Sequence, residues 1–138
     1  MAVEVRKVGY YSVQVPNKMG EGACVLGVLR DAGVNLIAFW GYPFGRGRAR
    51  LDLIPEDKAL FLNAAKQAKL KLNKERAAFY VQGDDQPGAI AEVLSKLAAA
   101  RINVDAVQGV AAGSGRFGAI VSVPSPATRK AASVLGVA

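Results

Sequence analysis

The sequence repeats itself at a spacing of 68 residues, and this repeat limits the possible folds more than any other feature. When residues 11–48 are placed on residues 79–116 without a gap, fourteen positions carry identical residues. In the first copy these are Val13, Gln14, Gly20, Ala23, Val25, Leu26, Leu29, Ala32, Asn35, Ala38, Gly41, Gly45, Gly47 and Arg48. A repeat of this length indicates two copies of one structural unit. We therefore expect two domains, residues 1–72 and 73–138.

Both copies predict the same order of elements. In the first copy we expect strands over 3–15, 34–40, 48–54 and 70–72, with helices over 21–32 and 55–68. In the second copy we expect strands over 77–82, 102–108 and 117–123, with helices over 88–100 and 126–135. The order β-α-β-β-α-β, twice, predicts an α+β protein of two ferredoxin-like units with antiparallel sheets and helices on one face.

Two details of this plan concern single strands. Residues 34–40 are apolar at alternate positions on both faces, which predicts a strand buried on two sides. Only residues 136–138 remain for the last strand of the second copy, which is short. Residues Val3 to Val5 are an alternative source for that strand.

The composition excludes several kinds of active site. The chain has no histidine, which removes Ser-His-Asp and Cys-His arrangements together with histidine-based metal sites. Its single cysteine, Cys24, cannot form a disulfide within the chain, and its place in a helical pattern predicts that it is buried. We therefore expect no enzymatic reaction and no cofactor or metal.

Charge and hydropathy indicate the setting and the partners. The net charge of +7 leaves acidic small molecules and nucleic acids open as partners. No apolar run approaches the roughly eighteen residues that a membrane span needs, and the N-terminus lacks the pattern of a signal peptide. We therefore expect a cytoplasmic protein without a membrane partner.

The turn before the second repeat's helix has the chemistry of a small-molecule site. Asp84, Asp85, Pro87 and Gly88 separate a strand from a helix whose apolar stripe begins at Ile90. Free backbone N–H groups at a helix N-terminus attract a carboxylate, and neighbouring carboxylates attract an ammonium group. Such a turn is suited to bind an amino acid.

These residues resemble the signature of the ACT domain, a ligand-binding regulatory module of amino-acid metabolism. The match consists of Asp85-Gln86-Pro87-Gly88 followed by Arg101-Ile102-Asn103-Val104. The first copy carries Asn17-Lys18-Met19-Gly20 and Gly33-Val34-Asn35-Leu36, with Met19 in place of the proline. The resemblance covers nearly the whole chain and implies a tandem, stand-alone regulatory ACT protein that binds an amino acid.

The resemblance also implies the residues that contact the ligand. In the second copy they are Asp84, Asp85, Gln86, Gly88 and Asn103; in the first copy they are Asn17, Lys18, Gly20 and Asn35. Because the second turn keeps its proline, we expect binding chiefly there. Each residue type also has a purely structural interpretation: the asparagines suit turns, and Asp84 or Asp85 suits the N-cap of the following helix.

Three classes of function remain open. The first is a protein that binds an amino acid, and the second is a regulatory subunit that docks on a separate metabolic enzyme. The third is a nucleic-acid binder, because RNA recognition motifs share this strand order and residues 115–120 faintly resemble one of their motifs. We also expect at least a homodimer, through an apolar sheet face that exposes Ile37, or Phe39 and Leu36, together with Ile120.

Overall fold

The computed structural model describes residues 3–137 and divides them into two compact units. The N-terminal unit is Gly9–Arg76, and the C-terminal unit joins residues 3–8 to residues 77–137. This division differs from the expected 1–72 and 73–138 chiefly at the start of the chain, which belongs with the second copy of the repeat. Each unit is an ACT-like, ferredoxin-like α+β unit with an antiparallel sheet and helices on one face.

The elements follow the order that the repeat predicts. The strands are β1 (Val3–Pro16), β2 (Leu36–Pro43), β3 (Arg48–Pro55), β4 (Arg76–Asp84), β5 (Ala106–Gly113) and β6 (Arg116–Ser122). The helices are α1 (Glu21–Asp31), α2 (Lys58–Gln67), α3 (Ala89–Ala99) and α4 (Thr128–Val134), with a 3₁₀ turn at Ser125–Ala127. Within residues 3–137 no helix combines the length and the apolar composition that crossing a bilayer requires.

The sheet of the N-terminal unit has the order β2-β3-β1, extended by a bridge between Val13 and Leu72. Helices α1 and α2 pack on one face. Their side chains Val25, Leu29 and Phe61 meet Val13 and Leu53 of the strands in a buried core. The alternation of a strand sends Tyr11, Val13 and Val15 toward the helices and the residues between them to the opposite face.

The sheet of the C-terminal unit has the order β1-β4-β6-β5. Its core joins Val93 and Leu97 of α3 to Phe79 and Val121 of the strands. Val3 and Val5 pack against this core, which confirms that the start of the chain supplies the missing strand. Gly136 has a φ of 74° and Val137 donates its N–H to Ala132, so neither extends a strand. Ala138, the last of the three C-terminal residues considered for this strand, lies outside the described residues.

Two expectations about apolar surfaces were wrong. Strand β2 is not buried on both sides: it pairs with β3 alone, lies at the edge of the sheet, and leaves Phe39 53% exposed. Ile120 is not part of an exposed patch, since it is only 4% exposed and lies between Tyr80 and Gln108 in the register. Alternation along one strand cannot show which strand is an edge or what covers a sheet face.

Candidate functional site

A cleft of 290 Å³ lies at the first turn of the N-terminal unit. Its lining comes from the turn and α1 on one side and from the strands on the other: Val15, Pro16, Asn17, Lys18, Glu21, Gly22, Gly41, Tyr42, Pro43, Ala49 and Leu51. Most of the strand residues are apolar, whereas the turn supplies an amide, an ammonium and a carboxylate. The cleft can therefore hold a small molecule with one charged end and one apolar end.

Strand pairing explains why these residues meet. Val15 is paired with Ala49, and Ala49 is paired in turn with Pro43 at the end of β2. The backbone N–H of Asn17 donates to the carbonyl of Gly47 at 3.0 Å, which fixes the turn against the β2–β3 hairpin. Two of the sequence-predicted ligand residues, Asn17 and Lys18, thus lie in the cleft.

The sequence did not identify the other residues of the cleft, although the repeat contained a signal for them. Gly22 occupies the position of Ile90 in the second copy, and Ala49 occupies that of Phe117. The register agrees, because Val15 pairs with Ala49 as Gly83 pairs with Phe117. A position that is small in one copy and large in the other indicates space in the first.

Both turns end on a glycine that opens a helix without a side-chain cap. Gly20 precedes α1 with a φ of 88°, and Gly88 precedes α3 with a φ of 77°, a conformation that glycine adopts without strain. The N-cap interpretation of Asp84 and Asp85 is wrong, since Gly88 is the N-cap. Asp84 instead accepts a hydrogen bond from Arg116 at 3.2 Å. Asp85 and Gln86 remain exposed at the turn.

Asn35 and Asn103 lie far from the turns of their own units. Asn35 precedes β2 and donates to Glu56 at 3.3 Å, while the turn at Asn17 lies beside the other end of that eight-residue strand. Eight residues of strand span about 23 Å. Asn103 precedes β5 in the same way and is exposed. A ligand of amino-acid size bound at either turn cannot also contact the asparagine of the same unit.

A buried polar cluster lies on the sheet face away from α1 and α2. Asp52, which is 4% exposed, accepts hydrogen bonds from the Ser12 hydroxyl at 2.5 Å and the Tyr42 hydroxyl at 2.8 Å. Arg76 donates to Ser12 at 3.3 Å. Burial raises the pKa of Tyr42 above its ordinary value of 10.0, and the hydrogen bond to Asp52 raises that pKa further.

Two other observations concern residues that the sequence singled out. Cys24 is exposed, which corrects the expectation of burial: the buried stripe of α1 runs through Val25 and Leu29, and Cys24 lies beside it. Phe117, the aromatic residue in the motif that resembles an RNA-binding sequence, packs against the core on the helix side of its sheet. An RNA-stacking aromatic would lie on the open face.

Comparisons with solved structures agree on the fold. Protein BT0572 from Bacteroides thetaiotaomicron matches with a TM-score of 0.82 and 21% identity, over 96% of this chain and 88% of that one. The regulatory subunit of aspartate kinase from Thermus thermophilus, in a ligand-free form, matches with a TM-score of 0.63 and 17% identity over 98% and 93% of the chains. Aspartokinase III from E. coli, in complex with aspartate and ADP, matches at 0.53 and 16%, over 97% of this chain but 32% of its own.

No protein-family model matches the sequence, and no curated protein matches it. The structural similarities, all at or below 21% identity, therefore establish the fold alone. That fold is shared with chains described as regulatory subunits.

Proposed function

We propose that the protein is a non-catalytic regulatory protein that binds an amino acid or a similar small molecule through tandem ACT domains. The observation that carries the proposal is the match, over nearly the whole of both chains, to a subunit described as regulatory. The two helix starts after β1 and β4, which have no side-chain cap, support it, because free N–H groups at a helix start can bind an anion.

The residues that we propose to contact the ligand lie in the two turns. At the first turn they are Asn17, Lys18 and Gly20; at the second they are Asp84, Asp85, Gln86 and Gly88. Asn35 and Asn103 would contact a ligand separate from one held at the turn of the same unit. No cofactor or metal is part of the proposal.

A thermal-shift screen of the full chain against the twenty amino acids tests the proposal, followed by calorimetry of any that raise the melting temperature. A ligand at a hundred times its dissociation constant stabilises the folded state by about 2.7 kcal/mol, which is easily measured. Saturable binding of at least one amino acid is expected. If none shifts the melting temperature or gives saturable heat, the proposal is wrong.

A second candidate is a regulatory subunit that docks on a separate enzyme of amino-acid metabolism. The coverage of aspartokinase III favours it, because this chain corresponds to about a third of the length of that enzyme. Affinity purification of the tagged chain from its own host cells tests this candidate. A kinase that co-purifies in fixed proportion supports docking, and recovery of the chain alone contradicts it.

We further propose that the chain associates with itself. Two edge strands carry exposed apolar residues, Phe39 on β2 at 53% and Val110 on β5 at 67%. Strand β5 also contains no charged residue and no proline, the usual protections of a free sheet edge. Light scattering at micromolar concentration should give at least twice the chain mass of 14.4 kDa. A mass of one chain would contradict self-association.

A further inference from the structure

The cleft at the first turn is lined by aliphatic residues from the strands and by charged residues from the turn and α1. Its wall is formed by the aliphatic residues Val15, Ala49 and Leu51, with Pro43 at the end of β2. Lys18 and Glu21 line the cleft from the turn and the start of α1, and within residues 3–137 neither of them forms an ion pair with another side chain. An amino acid has matching parts: a carboxylate for Lys18, an ammonium group for Glu21, and a side chain for the wall.

The volume of the cleft limits the size of this side chain. At 290 Å³ it lies at the lower end of small-molecule sites, which run from about 300 to 1,000 Å³. The strand residues that line the cleft include no charged group that could pair with an acidic or basic side chain of the ligand. An aliphatic side chain buries apolar surface there without leaving a polar group unpaired.

In the second copy of the repeat, large side chains occupy two positions that are small in the cleft of the first copy. Ile90 and Phe117 take the places of Gly22 and Ala49, and both pack against the core of the C-terminal unit. The same copy has Gln86 in place of Lys18 and Ala89 in place of Glu21. Among the lining positions, Gly22 and Ala49 thus leave space in the first copy that the second copy fills, and Lys18 and Glu21 add two opposite charges that the second copy lacks.

We infer that the first of the two proposed turns is the principal amino-acid site, and that its ligand has an aliphatic side chain such as leucine, isoleucine or valine. The inference rests on the proposed function and adds the chemical class of the ligand and the unit that holds it. It reverses the sequence-based expectation that the second turn binds chiefly.

Gly22→Ile provides a sharp test, because it places the second copy's residue into the cleft of the first. A Cβ at Gly22 meets no atom within 4 Å, and its φ is not in the left-handed region. Removing a helix glycine also favours the folded state. The variant should therefore melt no lower than the wild type while the cleft is filled. Gly22→Ala adds a single methyl group and serves as the matched control.

Calorimetry on the full chain would compare leucine, isoleucine and valine with phenylalanine, threonine, lysine and aspartate. We expect an aliphatic amino acid to bind at least about tenfold more tightly than the others, since one methylene in an apolar pocket is worth roughly 10- to 200-fold. Gly22→Ile should weaken that binding at least about tenfold, and Gly22→Ala much less. Lys18→Gln, which substitutes an exposed residue, should weaken it without changing the melting temperature.

The other outcomes separate the two proposals. Tightest binding by lysine, threonine, aspartate or phenylalanine would overturn the aliphatic class and leave the proposed function standing. Aliphatic binding that survives Gly22→Ile but is lost when the second turn is changed by Asp85→Ala would overturn the choice of unit. Absence of binding by every amino acid would overturn both proposals.

Discussion

Asp52 is a carboxylate at 4% exposure, held by the hydroxyl groups of Ser12 and Tyr42. Removing a charged oxygen from water is costly unless hydrogen bonds replace the lost hydration. Here the two donors lie on β1 and β2, and Asp52 itself lies on β3. These two bonds therefore stabilise the relative positions of the three strands, and the loss of either leaves part of a buried charge unpaired.

Tyr42→Phe should lower the free energy of unfolding by about 1–3 kcal/mol at neutral pH, because Asp52 loses one of its two hydroxyl donors. Denaturation in urea measures this change. Tyr80→Phe is the matched control, since within residues 3–137 no hydrogen bond of the Tyr80 hydroxyl is described, and its effect should stay within about 0.5 kcal/mol. Equal effects of the two changes would contradict the role of Asp52.

The same variant should also change the response to alkali. The pKa of Tyr42 is raised in the folded protein, so the protonated hydroxyl contributes stability that is fully present below pH 10 and is lost as the pH rises through the folded pKa. Phenylalanine has no such titration. The difference in stability between wild type and Tyr42→Phe should therefore shrink above pH 10, and a difference that stays constant would contradict the assignment.

Single elements show how closely the two repeats agree. Left-handed residues occur at matched positions: Gly20 and Gly88 before a helix, and Gly33 and Arg101 after one. Gly33 and Arg101 both follow the C-cap residue of a helix, a place where glycine is common because it has no Cβ. Arg101 adopts this conformation at a φ of 60° without the freedom of glycine.

Arg101→Gly should stabilise the protein by about 0.5–1 kcal/mol, since the left-handed conformation costs a residue with a Cβ about 1–2 kcal/mol and glycine's own entropic cost is smaller. The mirror change, Gly33→Ala, should destabilise it by a similar amount, because the Cβ meets no atom and only the backbone strain remains. Ala100→Gly, one residue earlier at a φ of −89°, is the control and should destabilise. Urea denaturation measures these changes in stability. A loss of stability in Arg101→Gly would contradict the claim that the backbone of Arg101 is strained.

The repeat and its apolar stripes predicted the helices and most strands, but β5 runs over Ala106–Gly113 and not over the expected 102–108. The helix from Glu21 ends within a residue of its expected position, and the strand order follows from the ferredoxin-like plan. Exposure was harder to predict. The outward position of Cys24 depends on which stripe faces the sheet, and the burial of Ile120 depends on neighbouring strands.

The candidate site was predictable only in part, for a related reason. Asn17 and Lys18 belong to a local motif that can be read along the chain. Ala49 and Leu51 enter the cleft through the pairing of β1 with β3, and the sequence does not give that register. The Asp52 cluster depends on the same pairing, together with that of β2 and β3.

For the whole molecule, the decisive feature is that β1 serves both units. Its residues 3–8 belong to the C-terminal unit and its residues 9–16 to the N-terminal unit. Val3 and Val5 pack against the core that contains Phe79 and Leu97. Residues 3–8 therefore form a structural strand of the C-terminal unit.

Deleting residues 1–8 should destabilise the C-terminal unit by about 2–5 kcal/mol, since buried valine side chains contribute about 1.5–3 kcal/mol each when fully buried and less here. Hydrogen exchange read by mass spectrometry would report the loss: amides of residues 77–137 should lose protection, while those of residues 9–76 keep most of theirs. Lys7→Ala, at an exposed position of the same segment, should change neither. Equal loss of protection in both units would contradict this division.

The shared strand also has a consequence for the order in which the chain folds during synthesis. The N-terminal unit is continuous, so it is complete once residue 76 has left the ribosome, whereas the other unit needs residues 3–8, made before it, and residues 77–137, made after it. Folding of Gly9–Arg76 brings its two ends together, because Val13 bridges Leu72 and the Glu75 side chain lies against Gly9. Residues 3–8 are then held next to residue 77 as it emerges. The entropic cost of bringing together two segments that are separated by residues 9–76 has therefore already been met. Once folded, the first unit thus keeps residues 3–8 close to the residues with which the second unit is completed.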